Sequence, residues 1–419
     1  MKIAVLSVTK HGAALGQKLK AYYEALAGLT EPTAVAMDVT GTGADVSAYE
    51  GTTRKKQGGP DIVCYEKEGR QSEATDAVIF SSLKPLMQDL WTTYDRLLFI
   101  MATGITVRMI APFVQHKSVD PAVVVMDEQA HFAISLLSGH LGGANEWTAE
   151  VAQVLGATPV ITTATDVNGV PAPDVLARKL ACKIEDFIVL KEVNAALVAG
   201  ETVPYYVDEA LYFVKDYIAT AKALGITLQP TPVTGLIGET ALASGTSLSD
   251  DTPFSDDKLV SDNKPLSDDK PRVLITDRMI PVGPKTLVLR PPTMTVGIGC
   301  RRGTESSLIL QAVESALKTA GRSPKSVIGA ASVIVKSDET GLLEAMKALD
   351  WPIEFYEQAD MKAVIAAMNI EESNFVKETI GVGNVCETTA LLRAKSQTIL
   401  LKKTVYPKTT VAIAQVQFK

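Results

Sequence analysis

A chain of 419 residues with a formal charge of −7 has room for two or three domains and lacks the basic excess of a general nucleic-acid binder. Its 46% hydrophobic and 21% charged content is that of a globular protein, and no apolar run reaches the length of a membrane span. The four cysteines, Cys64, Cys182, Cys300 and Cys386, form no CxxC pair, which argues against a zinc ribbon or a disulfide framework.

The chain opens on a strand at residues 3–8 rather than on a signal peptide, so the expectation is a cytoplasmic protein. A helix follows at about 11–26, and 78–94 reads as helical. Strands at 97–102, 123–126 and 132–137 lead to a helix at 146–155 and a strand at 159–163. Helices at 174–183 and 187–199 begin a middle region. Residues 249–272 repeat Ser-Asp-Asp or Ser-Asp-Asn every six positions with little apolar content, and read as a disordered loop or linker. Calcium loops need glycines that this repeat lacks. Strands at 273–276 and 286–289 precede Pro291-Pro292, after which strands and helices alternate again. A strand pair closes the chain at 398–403 and 410–417. The fold class is therefore α/β: an N-terminal domain with a largely parallel sheet (1–170), a middle region (171–292) and a smaller C-terminal α/β domain (293–419).

The densest cluster of chemistry is Leu136-Leu137-Ser138-Gly139-His140-Leu141-Gly142-Gly143-Ala144-Asn145-Glu146. Its order, strand then Gly-rich turn then helix, presents backbone N–H groups beside a titratable imidazole. Met101–Arg108 is a second strand-to-helix turn, in which Thr103, Gly104 and Arg108 can take a carboxylate, although on its own it reads first as a plain connection with a solvated arginine. Asp127 follows the strand at 123–126. It either serves a site beyond that strand end or starts a hairpin into 131–137. Thr162–Gly169 gathers Thr163 and Asp166 after another strand, as a pocket wall or as ordinary Asx and Ser/Thr turns. Two further Gly-rich turns lie near the C-terminus. Val296–Thr304 carries Arg301 and Arg302 but departs from a dinucleotide fingerprint by one residue, and Gly381–Glu387 carries Asn384; both suit an anion. His116, His131 and His140 match no metal spacing, and Ser138 has no GxSxG elbow, so neither a protein-bound metal nor a serine triad is expected.

Four of these stretches together, Ala102-Thr103-Gly104-Ile105 with Arg108, Asp120-Pro121-Ala122-Val123, Leu137–Asn145 and Val160–Asp166, resemble the cobalt-precorrin-5A hydrolase family (CbiG) of cobalamin biosynthesis. The two C-terminal Gly-rich turns resemble that family's C-terminal domain, and the Ser-Asp-Asp repeat looks like an insertion. The resemblance implies a hydrolase of the anaerobic vitamin B12 route. Water would open a δ-lactone on ring A of a cobalt-bearing macrocycle, and the extruded two-carbon unit would leave as acetaldehyde, giving cobalt-precorrin-5B. It implies no cofactor bound by the protein, since the substrate carries the cobalt. The partner would be that small molecule, with a homodimer or transient contacts to neighbouring enzymes, and neither nucleic acid nor membrane. A non-catalytic carrier of tetrapyrrole intermediates is the alternative.

Lactone opening needs an activated water and donors for the carbonyl oxyanion, and loss of acetaldehyde needs a hydroxyl deprotonated as its carbon–carbon bond breaks. The expected base is His140, positioned by Asp127, with Asn145 orienting water or a side-chain amide. The amides of Gly142 and Gly143 would hold the oxyanion. Thr103, Gly104, Arg108, Ser138, Thr163, Asp166, Arg301, Arg302 and Asn384 would bind substrate, the arginines pairing with its peripheral carboxylates.

Overall fold

The computed structural model describes residues 1–28, 60–73, 76–232 and 270–417. The Ser-Asp-Asp repeat, as far as residue 269, lies outside the described residues. The chain divides into two compact units, Met1–Gly169 and Val170–Lys419.

The first unit is built on β1 (Lys2–Ser7), β2 (Asp61–Lys67), β3 (Val78–Phe80), β4 (Arg96–Ile100), β5 (Ala122–Met126), β6 (Phe132–Leu137) and β7 (Thr158–Val160). They lie in the order β3-β2-β1-β4-β5-β6-β7. Every neighbouring pair is parallel except β5 and β6. β5, Ala-Val-Val-Val-Met, is buried at every position, as a strand covered on both faces must be. On one face Leu19 and Tyr23 of helix Lys10–Gly28, and Trp147 and Val151 of helix Ala144–Leu155, pack on Ile3, Val5, Leu98 and Val124. On the other, Met87, Leu90 and Ile110 meet Leu6, Leu97, Phe99 and Val125.

The stretch 78–94 is not one helix. Val78 and Ile79 extend the sheet as β3, and a 3-10 turn at Lys84–Leu86 precedes helix Met87–Thr93. Pro85 has no N–H to give a preceding turn, so it sits at the start of helical structure and cannot continue it. Asp127 begins a hairpin. Its carboxylate accepts the N–H groups of Gln129 (2.9 Å) and Phe132 (2.8 Å), which closes the turn and sends β6 back antiparallel to β5.

The second unit holds two sheets. β8 (Lys183–Ile184), β9 (Tyr205–Asp208), β10 (Leu228–Thr231), β11 (Arg272–Ile275) and β12 (Thr286–Arg290) run in the order β10-β9-β11-β12-β8, parallel except at β8. β13 (Met294–Cys300), β14 (Val327–Val333), β15 (Ile353–Tyr356), β16 (Ile399–Tyr406) and β17 (Thr409–Gln415) run β15-β14-β13-β17-β16, with β17 antiparallel to both neighbours. Helix Val385–Ala394 lies directly on β13: a Cβ on Gly297 would fall 1.8 Å from the Cys386 carbonyl oxygen.

A seam of charges joins the two sheets. Glu185 pairs with Arg290 and Lys325, and the Lys325 ammonium also donates to the Glu185 carbonyl at 2.7 Å. Asp277, almost fully buried, pairs with Arg322 and accepts the Thr293 hydroxyl at 2.7 Å. Burial pushes the Glu185 carboxyl up, but Arg290 and Lys325 outweigh it and hold the group below its ordinary 4.5. Such a carboxylate stabilises the fold above about pH 4.5 and loses that contribution as the pH falls through its lowered value. Glu185→Gln therefore melts below the wild type at pH 7, and the gap closes as the pH is lowered towards 3. Thermal denaturation by circular dichroism across that range checks it; a gap independent of pH would contradict the assignment.

Candidate functional site

The Gly-rich turn after β6 is shaped by steric necessity. Ser138 has a left-handed backbone (φ +58) and sends its hydroxyl to the Asp120 carbonyl, 3.1 Å away. Gly142 packs against it so tightly that a Cβ would lie 2.6 Å from the Ser138 Cβ. At Gly139 a Cβ would lie 2.7 Å from Asn145 Oδ1. The chain then enters helix Ala144–Leu155, anchored by the fully buried Trp147, whose indole N–H reaches the Tyr23 hydroxyl at 3.1 Å. Asn145, in the first turn, is thereby held rigidly.

Asn145 organises the site. Its Oδ1 accepts the Ser135 hydroxyl at 2.6 Å, and its Nδ2 donates to Thr163 Oγ1 and Asp166 Oδ2, both at 3.0 Å. A carboxylate only accepts, so the amide nitrogen must face Asp166 and the carboxamide has one orientation. Asp166 Oδ2 lies 2.6 Å from His140 Nε2, with the Thr165 hydroxyl 3.2 Å from the same nitrogen. Nε2 therefore carries the hydrogen against Asp166. The His140 side chain is only 9% exposed and Asp166 is 37% exposed, so the pair sits at the edge of solvent. An imidazole oriented by a carboxylate, itself fixed by a carboxamide, is an arrangement suited to moving a proton.

β6 and β7 are parallel to each other, so the turn at 138–143 and the segment 161–166, a short loop leading into helix Ala164–Val167, emerge at the same edge. The reversal of β6 puts Thr103, Gly104, Arg108 and Asp127 at the opposite edge, beyond the ends of β4 and β5. Asp127 does not position His140. Its carboxylate closes the hairpin and lies 3.4 Å from His131 Nδ1. Burial pushes it up, but the amides of Phe132, His131 and Gln129 and the His131 imidazole hold it below the usual carboxylate range. Arg108 is exposed and donates to the Gly104 carbonyl at 3.0 Å. The Gly143 amide does not face a ligand, since it donates to the His140 carbonyl at 3.1 Å; among the described residues the Gly142 amide has no acceptor.

The C-terminal turns use their amides on the protein's own carboxylates. Gly303 N–H donates to Glu339 at 2.7 Å and Gly383 N–H to Glu372 at 2.8 Å. Arg302 pairs with Asp338 at 2.7 Å, which raises the guanidinium's affinity for its proton, and Arg301 is exposed with no carboxylate partner among the described residues. Asn384 is buried and caps helix Val385–Ala394, accepting the Glu387 amide at 3.1 Å. Among the described residues no group of three or more His, Cys, Asp or Glu is placed to hold a metal ion, and no helix is long and apolar enough to cross a membrane.

Family models described as cobalamin synthesis G N-terminal, cobalamin biosynthesis central region and cobalamin synthesis G C-terminus match residues 85–166, 171–291 and 294–414. A cobalt-precorrin-5A hydrolase of Salmonella typhimurium is 34% identical over 312 residues, spanning 73% of this chain and 78% of that one. The chain belongs to the cobalt-precorrin-5A hydrolase (CbiG) family. A second such hydrolase, of Priestia megaterium, is 28% identical over 364 residues, 84% of this chain and 87% of its own. The crystal structure of a putative cobalamin biosynthesis protein G homolog from Sulfolobus solfataricus aligns over 99% of this chain and 97% of that one, at 16% identity and a TM-score of 0.32. The first family model covers His140, Asn145 and Asp166.

Ser135 is the member of this network that the sequence hides, marked only as the one hydroxyl in the apolar run Phe132–Leu137. Its removal leaves Asn145 Oδ1 without a donor in a buried place, a loss of about 1–3 kcal/mol. Ser135→Ala is accordingly expected to lower stability by that amount in urea denaturation, and Ser135→Thr to recover most of it. Equal midpoints for wild type and Ser135→Ala would contradict the bond.

Proposed function

We propose that this protein is a cobalt-precorrin-5A hydrolase, which opens the ring A δ-lactone of its substrate and releases acetaldehyde to give cobalt-precorrin-5B. The family membership supports the activity, and the close pairing of His140 with Asp166 is the observation that supports its chemistry here. Nothing in the geometry favours the carrier reading, for which an oriented imidazole has no task.

In this mechanism water adds to the lactone carbonyl as His140 takes its proton, and Asp166 stabilises the imidazolium that forms. The ester C–O bond breaks to give a carboxylic acid, which loses its proton to solvent, and an alkoxide, which takes the proton from His140 and becomes a free hydroxyl. The same imidazole then removes that hydroxyl proton. Its oxygen becomes the aldehyde carbonyl while the carbon–carbon bond to the macrocycle breaks. The bonding electrons pass into the conjugated, cobalt-bearing ring, so the electron sink belongs to the substrate and the protein brings no cofactor of its own. The Gly142 amide is the remaining donor of the turn for the oxyanion of the first step. Asn145 is a positioning residue: it fixes Asp166, and Asp166 fixes His140. Cytoplasm is the compartment that fits a pathway of this kind.

Turnover measured as acetaldehyde release, with the protein supplied with cobalt-precorrin-5A, is the test. A general base contributes about 10²–10⁴-fold, so His140→Ala should fall by at least two orders of magnitude. Asp166→Asn should fall substantially and Asp127→Asn by less than twofold. Full activity in His140→Ala would remove the imidazole from the mechanism. An Asp127→Asn loss as deep as that of Asp166→Asn would place the base elsewhere.

A further inference from the structure

Two cavities accompany the C-terminal sheet, and their charges differ. One, of about 610 Å³, is lined by Arg302 and by Glu305, Asp338, Glu339 and Glu344. Four carboxylates against one guanidinium make it hostile to a polyanion, although the sequence directs attention there. The other, of about 630 Å³, lies between the end of helix Gln358–Met368, the end of helix Val385–Ala394 and the last strand. Its volume falls in the range of about 300–1,000 Å³ usual for small-molecule sites. No Asp or Glu lines it, in a protein whose net charge is −7.

This groove has two kinds of wall. Val364, Met368, Leu391 and Leu392 form an apolar side, with the Tyr212 ring, 73% exposed, at its mouth. Lys395, Gln397, Gln415 and Gln417 are the polar part of its lining. The backbone of that polar side is pinned, with Gln415 N–H on the Thr398 carbonyl and Gln417 N–H on the Ala394 carbonyl. The ammonium of Lys395 and the three carboxamides have no partner among the described residues. Lys395 also holds a left-handed backbone (φ +50) at the end of its helix, where glycine is the residue that fits without strain. A cation and unused donors beside apolar side chains, with no acid in the lining, suit a largely apolar ring that carries carboxylates at its periphery.

We propose that this groove binds a carboxylated cobalt corrinoid, the ring face lying against Tyr212, Met368 and Leu392 and a peripheral carboxylate pairing with Lys395. The choice of ligand class rests on the hydrolase reading above; the groove's charge and lining do not. A titration of the full-length protein with cobyrinic acid, followed by isothermal calorimetry, tests it apart from turnover. Lys395→Glu and Tyr212→Ala change exposed side chains and leave the core intact. Each should weaken binding at least tenfold, the Lys395→Glu loss shrinking as salt rises, whereas Lys347→Glu, a charge reversal outside the groove, should bind as the wild type does. Wild-type affinity in both groove variants, or no binding of cobyrinic acid by the wild type, overturns the proposal. Acetaldehyde release is scored separately. A wild type that binds through the groove but releases no acetaldehyde overturns the hydrolase reading and upholds the groove, and one that releases it with groove variants unchanged in affinity does the reverse.

Discussion

The reversal of the chain between β5 and β6 is the constraint on which the candidate site depends. Five strands of the N-terminal sheet run one way, and the Asp127 turn makes β6, and with it β7, run the other. Only because β6 and β7 share that direction do the Gly-rich turn and the Thr163–Asp166 loop emerge side by side. Had β6 and β7 both run parallel to β5, His140 and Asp166 would still share an edge, but it would be the one where Thr103 and Asp127 stand. A local electrostatic detail, the Asp127 carboxylate accepting two backbone amides, thus decides at which edge of the sheet the pair stands.

Much of this was legible in the residues. The continuous apolar runs at β4 and β5 announce a buried parallel sheet, and the spacing of Trp147, Val151 and Leu155 announces the helix face that covers it. The crowding of Ser, Gly, His and Asn in one turn marked the site. Strand direction was legible only in part, since the hairpin at Asp127 stood as one of two readings. An alternation of strands and helices reads as parallel by default, and one tight turn overrides it. That is why Asp127 and Thr103 looked like neighbours of His140 and are not. Asp166 and Thr163, which ordinary turn chemistry would have explained away, are the residues that close the network.

Glycine and charge in the C-terminal sheet teach a related lesson. Gly297 is required by the close approach of a helix backbone, and the amides of Gly303 and Gly383 are already satisfied by Glu339 and Glu372. A Gly-rich turn supplies donors for an anion, but the anion can be the protein's own side chain. Counting arginines in the sequence therefore points to the crevice beside Arg302, where neighbouring acids neutralise that guanidinium. The cavity that lacks acids is lined by residues with no motif at all, drawn from four separate stretches of chain.

The claim at the centre is that His140 and Asp166 work as one unit. Acetaldehyde release by His140→Ala, Asp166→Ala and the double variant measures it directly. Once the imidazole is gone, Asp166 has nothing left to orient, so the double variant should be no slower than His140→Ala alone. Losses that multiply, with the double variant slower by the product of the two single effects, would show that the two side chains act independently and would contradict the coupled pair.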